Sequence, residues 1–232
     1  LILGRVSNLP TVWSNCLAGW WLSGGGPFLR FALLCLGTSC LYVGGMYLND
    51  AFDVEFDRQH RKERPISSGA IGLGEVWLWG LFWLGVGGIS LVILGWTPAI
   101  LTLLLVISIV VYDAIHKVIA LSPVLMAACR LQLYLTAASS ATQGITGLAL
   151  WSALVLAAYI VGLSYLARKE SARGVLRYWP CFLLAAPMVL AWVANGGEYR
   201  TRALVLSAML AWWVIRCLGY TLWSPERNIG RT

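Results

Sequence analysis

The sequence predicts an all-α fold, a polytopic transmembrane bundle of about eight helices. Three observations carry this expectation. Apolar residues make up 59% of the 232 positions and charged residues only 12%. A soluble domain carries about 25% charged residues, so there is too little polar surface here to coat a water-soluble globule. The apolar residues also come in runs of the length that crosses a bilayer, roughly 20 residues of helix. Finally, the thirteen Trp and nine Tyr fit aromatic belts at the membrane interfaces, and Trp20, Trp21, Trp77, Trp79, Trp96, Trp179 and Trp223 fall near expected helix ends.

The spans follow in order. The first runs from Asn8 to Leu22 and the second from Phe28 to Phe52. The third is Glu75–Leu94, the fourth Ala99–Tyr112 and the fifth Pro123–Ala141. The sixth is Leu148–Ala167, the seventh Pro180–Ala194 and the eighth Arg202–Leu222. Between them, Gly24-Gly25-Gly26-Pro27, Gly95-Trp96-Thr97-Pro98, Gln143-Gly144 and Asn195-Gly196-Gly197 are turn punctuation. A charged segment follows the second span near Asn49 and another follows the sixth near Tyr165. That recurrence suggests two four-helix halves with a site between them, in one domain covering residues 1–232.

The formal charge is +7. Its basic residues sit in short loops between apolar spans, which the positive-inside rule explains and nucleic-acid binding does not. Arg5, Arg58, Arg61, Lys62, Arg64, Lys117, Arg168, Lys169, Arg173, Arg177, Arg227 and Arg231 fall on one side; Arg30, Arg200 and Arg202 fall on the other. This asymmetry predicts a cytoplasmic N-terminus and cytoplasmic charged loops. The six Cys are scattered in apolar runs with no CxxC or metal spacing, so they read as packing residues. No cleavable signal peptide is visible.

The informative segment begins Asn49-Asp50-Ala51-Phe52-Asp53-Val54-Glu55-Phe56-Asp57-Arg58. On a helix, Asp50, Asp53 and Asp57 share one face, and Glu55 points nearly opposite. Three carboxylates on one stripe at a membrane boundary repel one another, and a hard divalent cation is the natural compensation. Arg58, Arg61, Lys62 and Arg64 follow, suited to phosphate oxygens. Together they suggest a Mg²⁺–diphosphate site beside lipid. The plainer alternative is a solvated loop marking the cytoplasmic face. Carboxylates that begin inside an apolar span argue against it.

The NDxxDxxxD pattern from Asn49 to Asp57, followed by Arg64-Pro65-Ile66-Ser67-Ser68-Gly69, resembles the UbiA superfamily of intramembrane prenyltransferases. The resemblance implies nine helices and transfer of a polyprenyl group from its diphosphate to an aromatic or other lipophilic acceptor. It implies Mg²⁺ held by Asn49, Asp50, Asp53 and Asp57. Arg5 and Asn15 are similar to the family's N-terminal pattern; Asn15 is either a cavity-facing group that meets substrate or a helix-packing Asn. The Tyr112–Lys117 segment is similar to the family's Tyr-to-basic motif. Tyr112 either steadies a carbocation with its ring or is an interfacial belt tyrosine. Lys117 would reach the leaving diphosphate, and His116 is either a general base or an interfacial His. Arg130, charged within the fifth span, needs a partner or water in the bundle and is placed on the cavity wall.

Two departures stand out. The family's second acidic motif should follow the sixth span, where this chain reads Tyr165-Leu166-Ala167-Arg168-Lys169-Glu170. Glu170 is the one acidic residue left to serve a metal. Arg168 or Lys169 would then neutralise the diphosphate in place of a second ion; the other reading is a decayed site that binds a lipid diphosphate, or transports it, without chemistry. This form resembles the EboC-like bacterial subgroup and implies a bacterial inner-membrane location. The chain also shows eight spans where the family has nine. On the enzyme reading, Asp50, Asp53, Tyr112 and Lys117 are catalytic, and Arg58, Arg64, Arg130 and Arg168 assist with substrate. The partners are an isoprenyl diphosphate, a lipophilic acceptor and the bilayer.

Overall fold

A computed structural model of the chain describes residues 3–171 and 179–222, and the regular structure among them is helical. A single 3-10 turn, Val6–Asn8, leads into α1 (Leu9–Leu22) and α2 (Phe28–Phe52). A short α3 (Val54–His60) follows, then α4 (Leu73–Val92), α5 (Trp96–Ile115) and α6 (Ser122–Ser139). The rest is α7 (Gly147–Ser171), α8 (Trp179–Leu183), α9 (Ala186–Ala194) and α10 (Glu198–Leu222). The second span has the limits expected from sequence, and the others shift by a few residues. The seventh is two helices rather than one, because the chain turns at Leu184–Ala185 ahead of Pro187. Helix α3 is an addition: a membrane-boundary helix carrying the acidic motif past the end of α2.

Five helices are long and apolar enough to cross a membrane: α2, α4, α5, α7 through Ala167, and α10 through Gly219. Many of their large apolar side chains point outward, among them Leu78, Ile89, Val92, Leu103 and Trp213. An outward apolar surface of this kind is solvated by lipid tails. The protein is an integral, multi-pass membrane protein.

The chain divides into two compact units, residues 1–150 and 151–232. In the first, α2 is the central helix. Leu34, Leu41 and Leu48, spaced by seven, are fully buried and meet Leu84, Leu91 and Leu94 near and on α4, with Val12, Cys16, Leu105 and Leu133 closing the core. Apolar burial does not by itself join helices in lipid; close backbone packing does. Here Gly37 and Gly44 of α2 face Gly80 and Gly87 of α4. A Cβ on Gly87 would lie 2.7 Å from Gly37 O and 2.8 Å from Leu41 N. On Gly44 it would lie 2.8 Å from Leu84 N. A similar approach brings α6 onto α1, where a Cβ on Gly19 would lie 2.6 Å from Tyr134 O. This contact keeps α6 with the first unit, whereas equal four-helix halves would have put it in the second.

The ends of the helices are tied together. Arg30 Nη2 donates to Leu94 O at 2.6 Å, satisfying a carbonyl just past the C-terminus of α4. The glycine turn after α1 is joined to the turn after α6: Thr142 N donates to Gly25 O and Gln143 N to Ser23 O, at 2.9 and 3.0 Å. Gly24 and Gly25 have φ of +86° and +61°, which the turn requires and side-chain-bearing residues rarely adopt. In the second unit, Leu166, Leu184 and Val214 form a smaller core.

Substituting Gly87→Val should separate α2 from α4, since backbone rather than a movable side chain blocks the new Cβ. The expected cost is about 1–3 kcal/mol, read as a melting temperature several degrees lower in detergent micelles. Gly88→Val, with nothing within 4 Å of its new Cβ, should melt as the parent protein does.

Candidate active site

The acidic motif sits where α2 ends and α3 begins. Asp53 terminates the first helix and precedes the second, so the chain adjusts at this residue while the carboxylates stay on one side. Asp50, Asp53 and Asp57 are buried, with relative exposures of 5%, 8% and 2%. Glu55 points away into the open, paired with Arg58 at 3.1 Å.

Buried carboxylates need donors or cations, because an uncompensated charge out of water costs several kcal/mol. Asp50 Oδ1 accepts from two guanidinium groups, Arg64 Nη1 at 2.7 Å and Arg5 Nη2 at 3.1 Å. Arg64 Nε also lies 3.9 Å from Asp57 Oδ2, so this arginine spans two acids. The turn that aims it is built by Arg64-Pro65-Ile66-Ser67-Ser68-Gly69: Ser68 N donates to Arg64 O at 2.8 Å, Ala70 N to Pro65 O at 3.0 Å, and Gly69 has φ of +78°. Asp53 is served from the other side. Lys117 Nζ sits 2.7 Å from its Oδ1 and 3.9 Å from the centre of the Phe56 ring, with His116 Nε2 at 3.7 Å. The segment after α5 is thereby pinned to α3.

A fourth acid joins the set. Asp113, near the end of α5, is 4% exposed, and Asn49 Nδ2 donates to its Oδ1 at 3.1 Å. Asp57 Oδ1 and Asp113 Oδ2 are buried with no hydrogen-bond partner. Asp113 also borders a cavity of about 150 Å³ between α1, α2, α5 and α6. Leu41, Leu105, Ile109 and Leu133 give it apolar walls; Tyr112 and Arg130 add polar groups. The Tyr112 ring stacks on His116, 5.0 Å between centroids. Arg130 Nη2 reaches Thr11 Oγ1 at 3.4 Å.

The structure therefore brings together Asn49, Asp50, Asp53, Asp57, Arg64 and Lys117, and puts Tyr112 and Arg130 on the cavity wall. It does not bring Arg58 in, because Arg58 is taken by Glu55. Asn15 is half-buried on α1 and is not among the side chains bordering the cavity. The side chains of Arg168, Lys169 and Glu170 lie outside the described residues. Asp113 went unrecognised in the sequence reading, and Arg5 was matched to the family's N-terminal pattern without being given a role. Asp113 had a signal, an acid beside an apolar run, which marks a functional group by default. Arg5 had a weaker one, a lone cation before the first span. Its φ of +41°, unusual for a residue other than glycine, is visible only in the structure. Among the described residues no three His, Cys, Asp or Glu side chains converge to cage a metal ion by themselves.

A cluster of buried acids and cations at the membrane boundary, beside an apolar cavity between helices, defines the class as an intramembrane protein with a polar site at one end of its helices. The match to known families is consistent with that class. Residues 9–180 fit the UbiA prenyltransferase family, and the chain belongs to it. A structure from work on digeranylgeranylglyceryl phosphate synthase in membranes superposes with a TM-score of 0.72 at 19% identity, covering 97% of this chain and 87% of that one. The apo structure of a UbiA homolog from Aeropyrum pernix K1 gives 0.75 at 14% identity, covering 92% and 90%. At these identities the likeness speaks for the fold. No curated protein matches the sequence.

Because Asp50 is shared, Arg5 and Arg64 should act together. Arg5→Met and Arg64→Met are each expected to be tolerated better than the pair, with a coupling energy of about 1 kcal/mol in a double-mutant cycle. Denaturation of the four proteins in mixed micelles would measure it; strict additivity would show that Asp50 does not depend on both.

Proposed function

We propose that this chain transfers a polyprenyl group from an isoprenyl diphosphate to a lipophilic acceptor within the membrane, in a Mg²⁺-dependent reaction. The observation that carries this reading is the junction at Asp113. On one side lie buried carboxylates interleaved with Arg5, Arg64 and Lys117; on the other lies the apolar cavity. An isoprenyl diphosphate has the same two-part character, and the family supplies the reaction class.

Asn49, Asp50, Asp53 and Asp57 are the residues that would hold Mg²⁺, with Glu170 as a further candidate. Mg²⁺ takes one or two carboxylates and completes its shell with phosphate oxygens and water. A carboxylate set that closes no cage by itself therefore fits it, and the unpartnered Asp57 Oδ1 is an oxygen left over for such a role. When bound, the ion supplies neutralisation of the negative charge on the departing diphosphate.

The chain's own side chains do the rest. Arg64 and Lys117 are hydrogen-bonding cations already beside the acids, able to donate to phosphate oxygens. As the C1–O bond breaks, its electron pair leaves with the diphosphate. The allylic cation forms its new bond to the acceptor, which gives up a proton. Tyr112 borders the cavity, and the face of an aromatic ring favours a cation by its quadrupole. The apolar walls exclude the water that would otherwise capture it. Basic residues concentrated on the loops of the acidic end put that end, and the N-terminus, in the cytoplasm.

The test is release of diphosphate from geranyl, farnesyl and geranylgeranyl diphosphates by the protein in lipid nanodiscs with lipid extract as acceptor source. Turnover should require Mg²⁺ and fall roughly 100-fold or more in Asp50→Asn and Asp53→Asn. Tight diphosphate binding without turnover would instead favour a carrier or binding protein, and no Mg²⁺-dependent binding at all would reject the diphosphate site. Metal stoichiometry gives a separate check: with Arg168 standing in for a second ion, one Mg²⁺ per diphosphate is expected, and two would refute that role.

A further inference from the structure

A groove between α9 and α10, within the second unit, has no part in the reaction proposed above. Met188 and Ala191 of α9 and Ala203, Leu206 and Leu210 of α10 give it an apolar floor. Its volume is about 360 Å³. Tyr199 and Leu206, both in its lining, are 65% and 66% exposed, so it lies open at the surface. Most of its polar groups gather at one end. Asn195 follows the C-terminus of α9, and Tyr199 and Arg202 stand in the first two turns of α10. Asn195 is already engaged, donating from Nδ2 to Ala191 O at 2.8 Å. Ser207 is the one polar side chain farther along.

The polar end carries cations without an acid. The Arg202 guanidinium lies 5.8 Å from the centre of the Tyr199 ring, and that of Arg200 lies 5.3 Å from the Trp192 ring of α9. Among the described residues neither forms an ion pair. Glu198 is the one carboxylate in the segment 195–202, against two arginines. A guanidinium held over a ring face keeps N–H donors for a second partner, and phosphate oxygens suit them. The start of α10 at Glu198 adds the positive end of a helix dipole.

The length of the groove says what kind of anion fits. From Tyr199 to Leu210 a helix advances about 16 Å at about 1.5 Å per residue, and one leaflet of a bilayer has a hydrocarbon depth of about 15 Å. We propose that this groove binds one anionic phospholipid, with its phosphodiester at Arg202 and Arg200 and an acyl chain along the floor toward Leu210. A soluble anion would leave the apolar floor empty. A zwitterionic lipid brings its own cation beside the phosphate and gains less from the arginines. The site does not depend on the transfer reading.

The experiment titrates the delipidated protein, in a non-ionic detergent, with dioleoyl phosphatidylglycerol and dioleoyl phosphatidylcholine, which share their tails. Native mass spectrometry counts the lipid bound. The wild-type protein should take up the first phosphatidylglycerol roughly tenfold more tightly, the ratio that about 1.4 kcal/mol provides. The double variant Arg200→Gln, Arg202→Gln should reduce the ratio to about twofold or less. Arg61→Gln, Lys62→Gln, which removes the same charge elsewhere, should leave it tenfold. Ser207→Phe, which fills the groove, should weaken both lipids several-fold while a melting curve shows the fold retained; where it does not, the arginine variant decides. Equal binding of the two lipids by the wild type, an unchanged ratio without Arg200 and Arg202, or an equal loss in the Arg61 and Lys62 variant would overturn the proposal. So would displacement of the lipid by an equal concentration of glycerophosphoglycerol, the same headgroup without tails.

Discussion

Four aspartates are buried where membrane-spanning helices end, and the rest of the first unit is arranged around the need to compensate them. Three of them, Asp50, Asp53 and Asp57, come from one continuous stretch at the α2–α3 junction; the fourth, Asp113, comes from α5. Charges of one sign in a low-dielectric setting are tolerated only with cations or donors in hydrogen-bond reach. The chain supplies them from three separate places. Arg5 comes from before α1, Arg64 from the turn after α3, and Lys117 from beyond α5. Each contact also joins two segments, so the electrostatic requirement and the tertiary structure at this end are the same set of interactions.

That arrangement depends on how closely the helices can approach. In lipid, apolar side chains gain little by leaving one apolar environment for another, and small residues that let backbones touch take over the work of association. The glycines shared by α2 and α4 hold α2 firmly in position, and with it Asn49 and Asp50. Helices α1 and α6, which approach closely at Gly19, each contribute side chains to the cavity wall. Packing without side chains at these seams thus sets where the acids stand relative to the apolar space beside them.

Much of the site was legible beforehand. The i, i+3, i+7 spacing of Asp50, Asp53 and Asp57 implied one face, and the three are buried together while Glu55 is exposed. Arg64 and Lys117, read as cations for a diphosphate, lie against those acids. Arg58 was grouped with them by proximity in sequence, yet a residue next to the motif on a helix is carried to a different face, and it pairs with Glu55. Asp113 was passed over because its segment was read for its tyrosine and lysine. Its significance lies in a contact with Asn49, 64 positions away.

Composition and run length by themselves determined that the chain is helical and lives in a membrane, because apolar runs of roughly 20 residues satisfy their backbone hydrogen bonds in hydrocarbon as helices. Local spacing determined the acidic face, because a helix imposes its period on neighbours a turn apart. Only the tertiary structure decided which cation serves which acid, and that Asp113 is buried beside Asn49 at the edge of the cavity. Those facts depend on residues brought together from distant helices, and the approach of backbone to backbone that brings them there is not written in any single segment.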